Sequence, residues 1–210
     1  MTVKTWNGIA VASIKTINGI AVASIKTLGA EAWPAGSTYA TLNPADKGAN
    51  VTLSGGNLTA SCAGAADMVR ATLSKTTGKW SYEVTVGSGA GWLMGVAKAT
   101  AALTFVGGDA DGWGYYGTDG KKYNNGLGAV YGATFTTGNI IRVEYDADSG
   151  VLEFFKTNVS QGTIATGWGG LTIFPAVSGD TSGTDVVTVN FGASAFVNSP
   201  TAGFNTGWYV

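Results

Sequence analysis

The residues able to do chemistry in this 210-residue chain are few. Two acidic pairs stand at glycine turns, Asp109-x-Asp111-Gly112 and Asp146-x-Asp148-x-Gly150. Carboxylates so spaced offer the hard oxygen ligands that Ca²⁺ takes, but the same residues also close Asx-type turns by bonding their own backbone. Neither run completes an EF-hand loop, so turn-making is the expected use and no metal is assigned. Three glutamates fall within strand-like runs: Glu83, Glu144 and Glu153. A glycosidase needs two carboxyls roughly 5–10 Å apart, and no two of these share a strand at i, i+2 or i, i+4. Glu144 alternates with inward-looking Val143 and Tyr145 and is expected to face solvent. The chain has no histidine and one cysteine, Cys62. That removes Ser-His-Asp triads, Cys-His dyads, Cys/His zinc sites and internal disulfides. Beside Ser61, Ala63 and Gly64, Cys62 reads as a small loop or core residue. No catalytic residue and no cofactor are assigned, and the chain is read as a non-enzyme.

Binding is the remaining kind of chemistry. Tyr116, Tyr123 and Trp168 lie near glycine-rich turns, where exposed rings could stack on sugar faces and buried ones would pack in the interior. The elements positioning them are strands. The runs Gly78-Lys79-Trp80-Ser81-Tyr82-Glu83-Val84, Gly91-Trp92-Leu93-Met94-Gly95-Val96-Ala97 and Gly112-Trp113-Gly114-Tyr115 alternate aromatic or branched residues with small or polar ones, the period of a half-buried sheet. Strands are expected at Val51–Leu53, Met68–Leu73, Lys79–Val86, Gly91–Ala97, Gly112–Tyr116, Ile140–Tyr145, Val151–Lys156, Ile173–Val177 and Val186–Phe191. Hydrophobic residues make up 45%, charged residues 12%, and 33 glycines argue for many tight turns. A net charge of −1 lacks the basic footprint of a nucleic-acid binder. No run is apolar for the ~20 residues that span a bilayer, and no signal peptide is read, so synthesis in a cytoplasm is expected. The fold class is all-β, an antiparallel sandwich.

Residues 1–30 carry an internal repeat of period 11: Lys4-Thr5-Trp6-Asn7-Gly8-Ile9-Ala10-Val11, then Lys15-Thr16-Ile17-Asn18-Gly19-Ile20-Ala21-Val22, with a third start at Lys26. Asn-Gly favours a type I′ turn because both central residues need positive φ, so a ribbon of short strands turning at Asn7-Gly8 and Asn18-Gly19 is expected. Such a ribbon is too small to bury a core alone. Residues 1–30 are read as an attachment or oligomerisation element carried by Trp6, Asn7, Gly8, Ile9, Val11, Ile17, Asn18, Gly19, Ile20 and Val22, residues 31–41 as a linker, and 42–210 as the sandwich. The repeat resembles those of structural proteins of tailed bacteriophages.

From Leu42 to Trp208 the order of blocks resembles the SPRY (B30.2-like) family. Val69-Arg70-Ala71 followed by Gly78 to Val84 is similar to its "vRa…sGkwYwEv" signature, and Trp92 to Ala97 to its "w.vGva" block. Gly112-Trp113-Gly114-Tyr115 with Lys122-Tyr123-Asn124-Asn125-Gly126 resembles "sWGy…kyhnG", with Asn124 where histidine is common. Asp146 to Lys156 resembles "DlD.GtlsFykNg", and Phe174 to Ser178 with Val187 to Gly192 close the pattern. The resemblance implies a bent, concanavalin-like sandwich that holds partners through loops clustered on one face. Trp80, Tyr82, Trp92, Trp113 and Tyr115 sit inside strand periodicity and are read as core aromatics. The resemblance places three contact loops, at Ser61 to Asp67, from Ala97 through Leu103, Thr104, Phe105 and Asp109 to Asp111, and at Gly179, Asp180 to Asp185. The first loop lacks the arginine and proline, and the third the tryptophan, of peptide-gripping members.

The function expected from these readings is a bacteriophage virion protein. It would be a SPRY-like module on the particle surface, joined to other virion proteins through residues 1–30 in a multi-copy or homo-oligomeric assembly. It would adhere to a host-surface glycan or protein as a fibre tip or decoration. The alternatives are an architectural cement protein without a ligand and a cellular adaptor recognising peptides.

Overall fold

The computed structural model describes residues 37–63, 66–180 and 185–210, together with the backbone of four two-residue strands between residues 5 and 21. Two compact units are defined, Met1–Ser37 and Thr38–Val210. In the first, β1 (Thr5–Trp6) pairs with β2 (Ile9–Ala10) and β3 (Thr16–Ile17) with β4 (Ile20–Ala21), both antiparallel, with Trp6 opposite Ile9 and Ile17 opposite Ile20. Asn7, Gly8, Val11, Asn18, Gly19 and Val22 lie outside the described residues.

Among the described residues the second unit holds fourteen strands: β5 (Leu42–Lys47), β6 (Val51–Ser54), β7 (Thr59–Cys62), β8 (Met68–Ala71), β9 (Lys79–Ser88), β10 (Leu93–Ala97), β11 (Gly112–Tyr116), β12 (Lys121–Asn124), β13 (Leu127–Val130), β14 (Ile140–Asp146), β15 (Val151–Lys156), β16 (Val159–Ala165), β17 (Phe174–Ser178) and β18 (Asp185–Asn190). They form two seven-stranded sheets, β13-β12-β11-β10-β17-β8-β5 and β16-β15-β14-β9-β18-β7-β6, and every strand pairing is antiparallel. No helix occurs among the described residues.

Alternation builds the interior. Tyr82, Val84 and Val86 of β9, Ile141, Val143 and Tyr145 of β14, and Leu152 and Phe154 of β15 meet Val69, Met94, Val96, Tyr115 and Val177 from the other sheet in one buried cluster. Tyr82 crosses that core and donates its hydroxyl to the Gly95 carbonyl at 2.5 Å, so its one polar atom is satisfied. Trp92, Tyr82 and Tyr115 are fully buried, and Trp80 and Trp113 pack half-buried against them.

The outer faces of both sheets are partly covered, which strand periodicity does not foresee. On the β9–β14–β15 sheet the C-terminal segment crosses over the glutamates. Glu83 accepts the Val197 and Asn198 amides at 2.8 Å each, and Glu144 accepts the Thr201 amide at 2.7 Å. Glu144 is therefore 1% exposed, not solvent-facing as its alternation suggested. Arg142 Nε donates to it at 2.9 Å, which supplies the partner a buried carboxylate needs.

Candidate functional site

The second covering defines the site. Loop 98–111 folds back over the outer face of β10 and β11, which it can do because those strands carry glycines there. A β-carbon on Gly114 would sit 2.3 Å from the Val106 carbonyl oxygen, and one on Gly112 would sit 2.6 Å from the Gly107 nitrogen. The bare backbone lets Val106 bury completely and donate its amide to Ser178 Oγ at 3.0 Å. The acidic pair of this loop is consumed in holding its shape. Asp109 accepts the Ala102 and Asp111 amides at 2.7 and 2.9 Å. Asp111 takes Lys98 Nζ at 2.9 Å and Thr100 Oγ1 at 2.7 Å, and these bonds hold its carboxyl below the usual range. The other pair also closes a turn, Asp146 accepting the Asp148 and Ser149 amides.

Under and beside the loop lies a second apolar cluster, built on Met68, Leu93, Ala97, Val106 and Ala176 with Leu103, Phe105, Tyr116 and Tyr123 packed against it. It is not closed. A hollow of about 170 Å³ opens between Ala66, Leu93, Phe105, Tyr116, Tyr123 and Asp180. Tyr123 meets Phe105 edge-on at 6.1 Å and Tyr116 at 5.9 Å, a favoured geometry for aromatic pairs. Each tyrosine is oriented by a carboxylate, Tyr116 Oη donating to Asp180 at 2.5 Å and Tyr123 Oη to Asp119 at 2.8 Å. Burial and the Asp180 carboxylate push the Tyr116 hydroxyl up to about 12, so it stays a neutral donor.

Of the site residues expected from sequence, Phe105, Tyr116, Tyr123 and Asp180 come together here. Leu103 is half-buried in the same cluster and Thr104 is exposed beside it. Asp109 staples the loop. Asp67 accepts the Asn50 amide and side chain at 2.7 and 2.9 Å, and Ser61 sits inside β7 opposite Val186. Trp168 departs from its expectation: it is 7% exposed and packs in the main core with Lys98 Nζ 4.6 Å above its ring, so its faces are occupied. Ala66 falls within the first expected loop, whereas Leu93 was not foreseen because a strand residue flanked by Trp92 and Met94 reads as ordinary core. The side chains of Trp6, Ile9, Ile17 and Ile20 lie outside the described residues.

The fold is thus an antiparallel double sheet with a loop-rimmed apolar hollow on one outer face. The SPRY domain family matches residues 79–194, and this chain belongs to that family. Ran-binding protein 9 of Xenopus tropicalis and that of Xenopus laevis are each 32% identical to it over 168 residues, covering 74% of this chain and 30% of the relative. The chain thus spans about a third of the length of these relatives. Among solved structures, the SPRY domain of human HERC1 superposes with a TM-score of 0.62 at 17% identity, covering 71% of this chain and 96% of that one. The TRIM65 PSpry domain gives 0.60 at 15%, covering 72% and 89%, and stonustoxin gives 0.58 at 18%, covering 72% and 27%. These likenesses show the fold.

The relatives overturn the expectation of a bacteriophage virion protein adhering to a host or decorating a particle. The sequence likeness runs to a protein of two frogs. The repeat that suggested a phage lies outside the matched family region. A strand–Asn-Gly–strand recipe records a local folding preference, which any lineage can write.

Proposed function

We propose that this chain is a non-catalytic protein-interaction module that holds a short segment of a partner protein at the Leu93–Phe105–Tyr116–Tyr123 hollow. One observation carries the reading: three aromatic rings and a leucine leave a concavity unfilled, with a hydroxyl and a carboxylate at its rim. Its volume suits a single aliphatic or aromatic anchor, and a buried aromatic-lined pocket is where binding energy concentrates. Membership of a family of recognition scaffolds supports this, and the curated relatives bear the name of a protein that binds another protein. The reading returns to the peptide-recognising adaptor, with the anchor supplied by Phe105, Tyr116 and Tyr123 instead of the arginine, proline and tryptophan absent from the first and third loops.

Selection of a random twelve-residue peptide library on the full chain at neutral pH tests it. Enriched peptides should carry a shared apolar residue, and Phe105→Ala or Tyr123→Ala should weaken them about tenfold or more. Peptides indifferent to both changes would refute the hollow as the site. The repeat is proposed as a self-association element, since two-stranded pairs of this size are marginal alone. Replacing Ile9 and Ile20 by proline in the full chain should lower its sedimentation coefficient, and an unchanged value would count against that role.

A further inference from the structure

One wall of the hollow leads to a second carboxylate that none of the contacts described so far uses. Asp180, which forms that wall, and Asp185, the first residue of β18, stand at the two ends of the third loop. Both turn toward Gly91, just before β10. A β-carbon placed on Gly91 would lie 2.4 Å from Asp180 Oδ1 and 2.4 Å from Asp185 Oδ2. Two oxygens that close to one point stand within about 4.8 Å of each other. A β-carbon on Gly89 would collide with the other Asp185 oxygen, at 1.6 Å, so the glycines at 89 and 91 are what allow both acids into this space.

Asp185 is 7% exposed, and its Oδ2 is buried with no hydrogen-bond partner. It enters none of the ion pairs found among the described residues. A buried carboxylate oxygen left in this condition is costly to the fold unless a donor or cation arrives. The charges acting on Asp185 and Tyr116 are of one sign, Asp180 on Asp185, and Asp180 and Asp119 on Tyr116. Burial first, and Asp180 second, raise the Asp185 carboxyl above its ordinary value, with the Gly91 backbone amide pulling it partly back.

Resting on the interaction-module reading, we infer that Asp180 and Asp185 form a seat for a basic side chain, lysine or arginine, which the partner segment presents beside its apolar anchor. A divalent metal fits the seat less well. Ca²⁺ takes 6–8 oxygen ligands, and no group of three or more potential metal-ligating side chains occurs among the described residues. A lysine or arginine stem would instead lie along the Leu93 and Tyr116 wall while its charged head meets Asp180, the pattern of amphipathic side chains at apolar rims. Asp185 stands behind as a second negative charge in a region of low polarity, where charge-assisted bonds are strongest.

The peptide selection described above tests this separately from the module itself. Enriched peptides should pair the apolar anchor with a lysine or arginine within one to three positions. Replacing that basic residue by glutamine, or changing the protein by Asp180→Asn or Asp185→Asn, should each weaken binding about tenfold. The combined loss should be no larger than either alone, because both remove one contact. Melting curves of the asparagine variants confirm folding. Peptides with the anchor only, lost in Phe105→Ala yet unaffected by both asparagine changes, would overturn the basic seat and leave the module standing. Peptides insensitive to Phe105→Ala would overturn both.

Discussion

Glu144→Ala is the change whose outcome the structure and the strand pattern predict most differently. If Glu144 faced water, as alternation along β14 implies, its removal would cost within about 0.5 kcal/mol. In the structure Glu144 is 1% exposed and accepts Arg142 Nε and the Thr201 amide. Arg142 is itself 2% exposed, clasped between Glu144, the Asn158 side chain and the face of Phe155 at 4.0 Å. Truncation to alanine leaves a buried guanidinium short of its counter-charge and a backbone amide without an acceptor. Breaking a buried pair in this way costs about 3–5 kcal/mol. At roughly 2–4 °C per kcal/mol for a domain of this size, the melting temperature should fall by about 6–20 °C. Glu144→Gln keeps the acceptor for Thr201 but loses the charge and should cost less, about 1–3 kcal/mol. Glu153→Ala is the control. Glu153 sits directly opposite Glu144 on β15 but is only half-buried, with Ser160 Oγ as its hydrogen-bond donor, so its loss should stay below about 1 kcal/mol. Urea and thermal melts of the full chain at one fixed concentration supply the comparison, and amide exchange at Val197, Asn198 and Thr201 reports whether the C-terminal cover loosens. A Glu144→Ala cost no larger than that of Glu153→Ala would refute the view that this cover is held by buried carboxylates.

Gly114→Ala should lift loop 98–111, since its methyl would fall 2.3 Å from the Val106 carbonyl; about 1–3 kcal/mol of stability should go with it, and unaltered protection of the Val106 amide would contradict that. Asp46→Ala should cost about 3 kcal/mol in denaturant melts, because Arg70 is 5% exposed and bonds both Asp46 oxygens at 2.7 Å; a change below about 1 kcal/mol would show the pair to be dispensable. Asp185→Asn should stabilise the protein at neutral pH while weakening ligand binding. The folded carboxyl titrates above its ordinary value, so the folded state holds its proton longer than the unfolded chain and the parent loses stability as pH rises through that window. The gain in melting temperature should be present at pH 7 and vanish near about pH 3, below both values; an equal shift at both would sink the argument.

Most strands were legible because burial on one face writes a period of two into the chain. β11 and β15 run over the residues that pattern marks, and β9 extends two residues beyond it, to Ser88. The β12–β13 turn follows the usual chemistry, with Asn125 and Gly126 at φ of 53° and 71°. The β15–β16 hairpin was hidden because Thr157 and Asn158 occupy the same left-handed turn at 48° and 66°, a pairing local propensity does not favour. Contacts from elsewhere compensate, the Thr157 amide reaching the Ile140 carbonyl and Asn158 accepting from Arg142.

The candidate site divides the same way. Its loops could be placed along the chain by family likeness, and the aromatic character of Phe105, Tyr116 and Tyr123 stood in plain view. That Trp168 turns inward, that Glu144 is roofed by the C-terminus, and that Asp180 and Asp185 meet over Gly91 depend on segments far apart in the chain being laid on one another. A linear sequence by itself determined which residues alternate and where the chain can bend, since those preferences act between near neighbours. Which outer face is covered, and which carboxylate oxygen is left without a donor, was decided only by packing, because desolvation depends on everything that crowds a group in space.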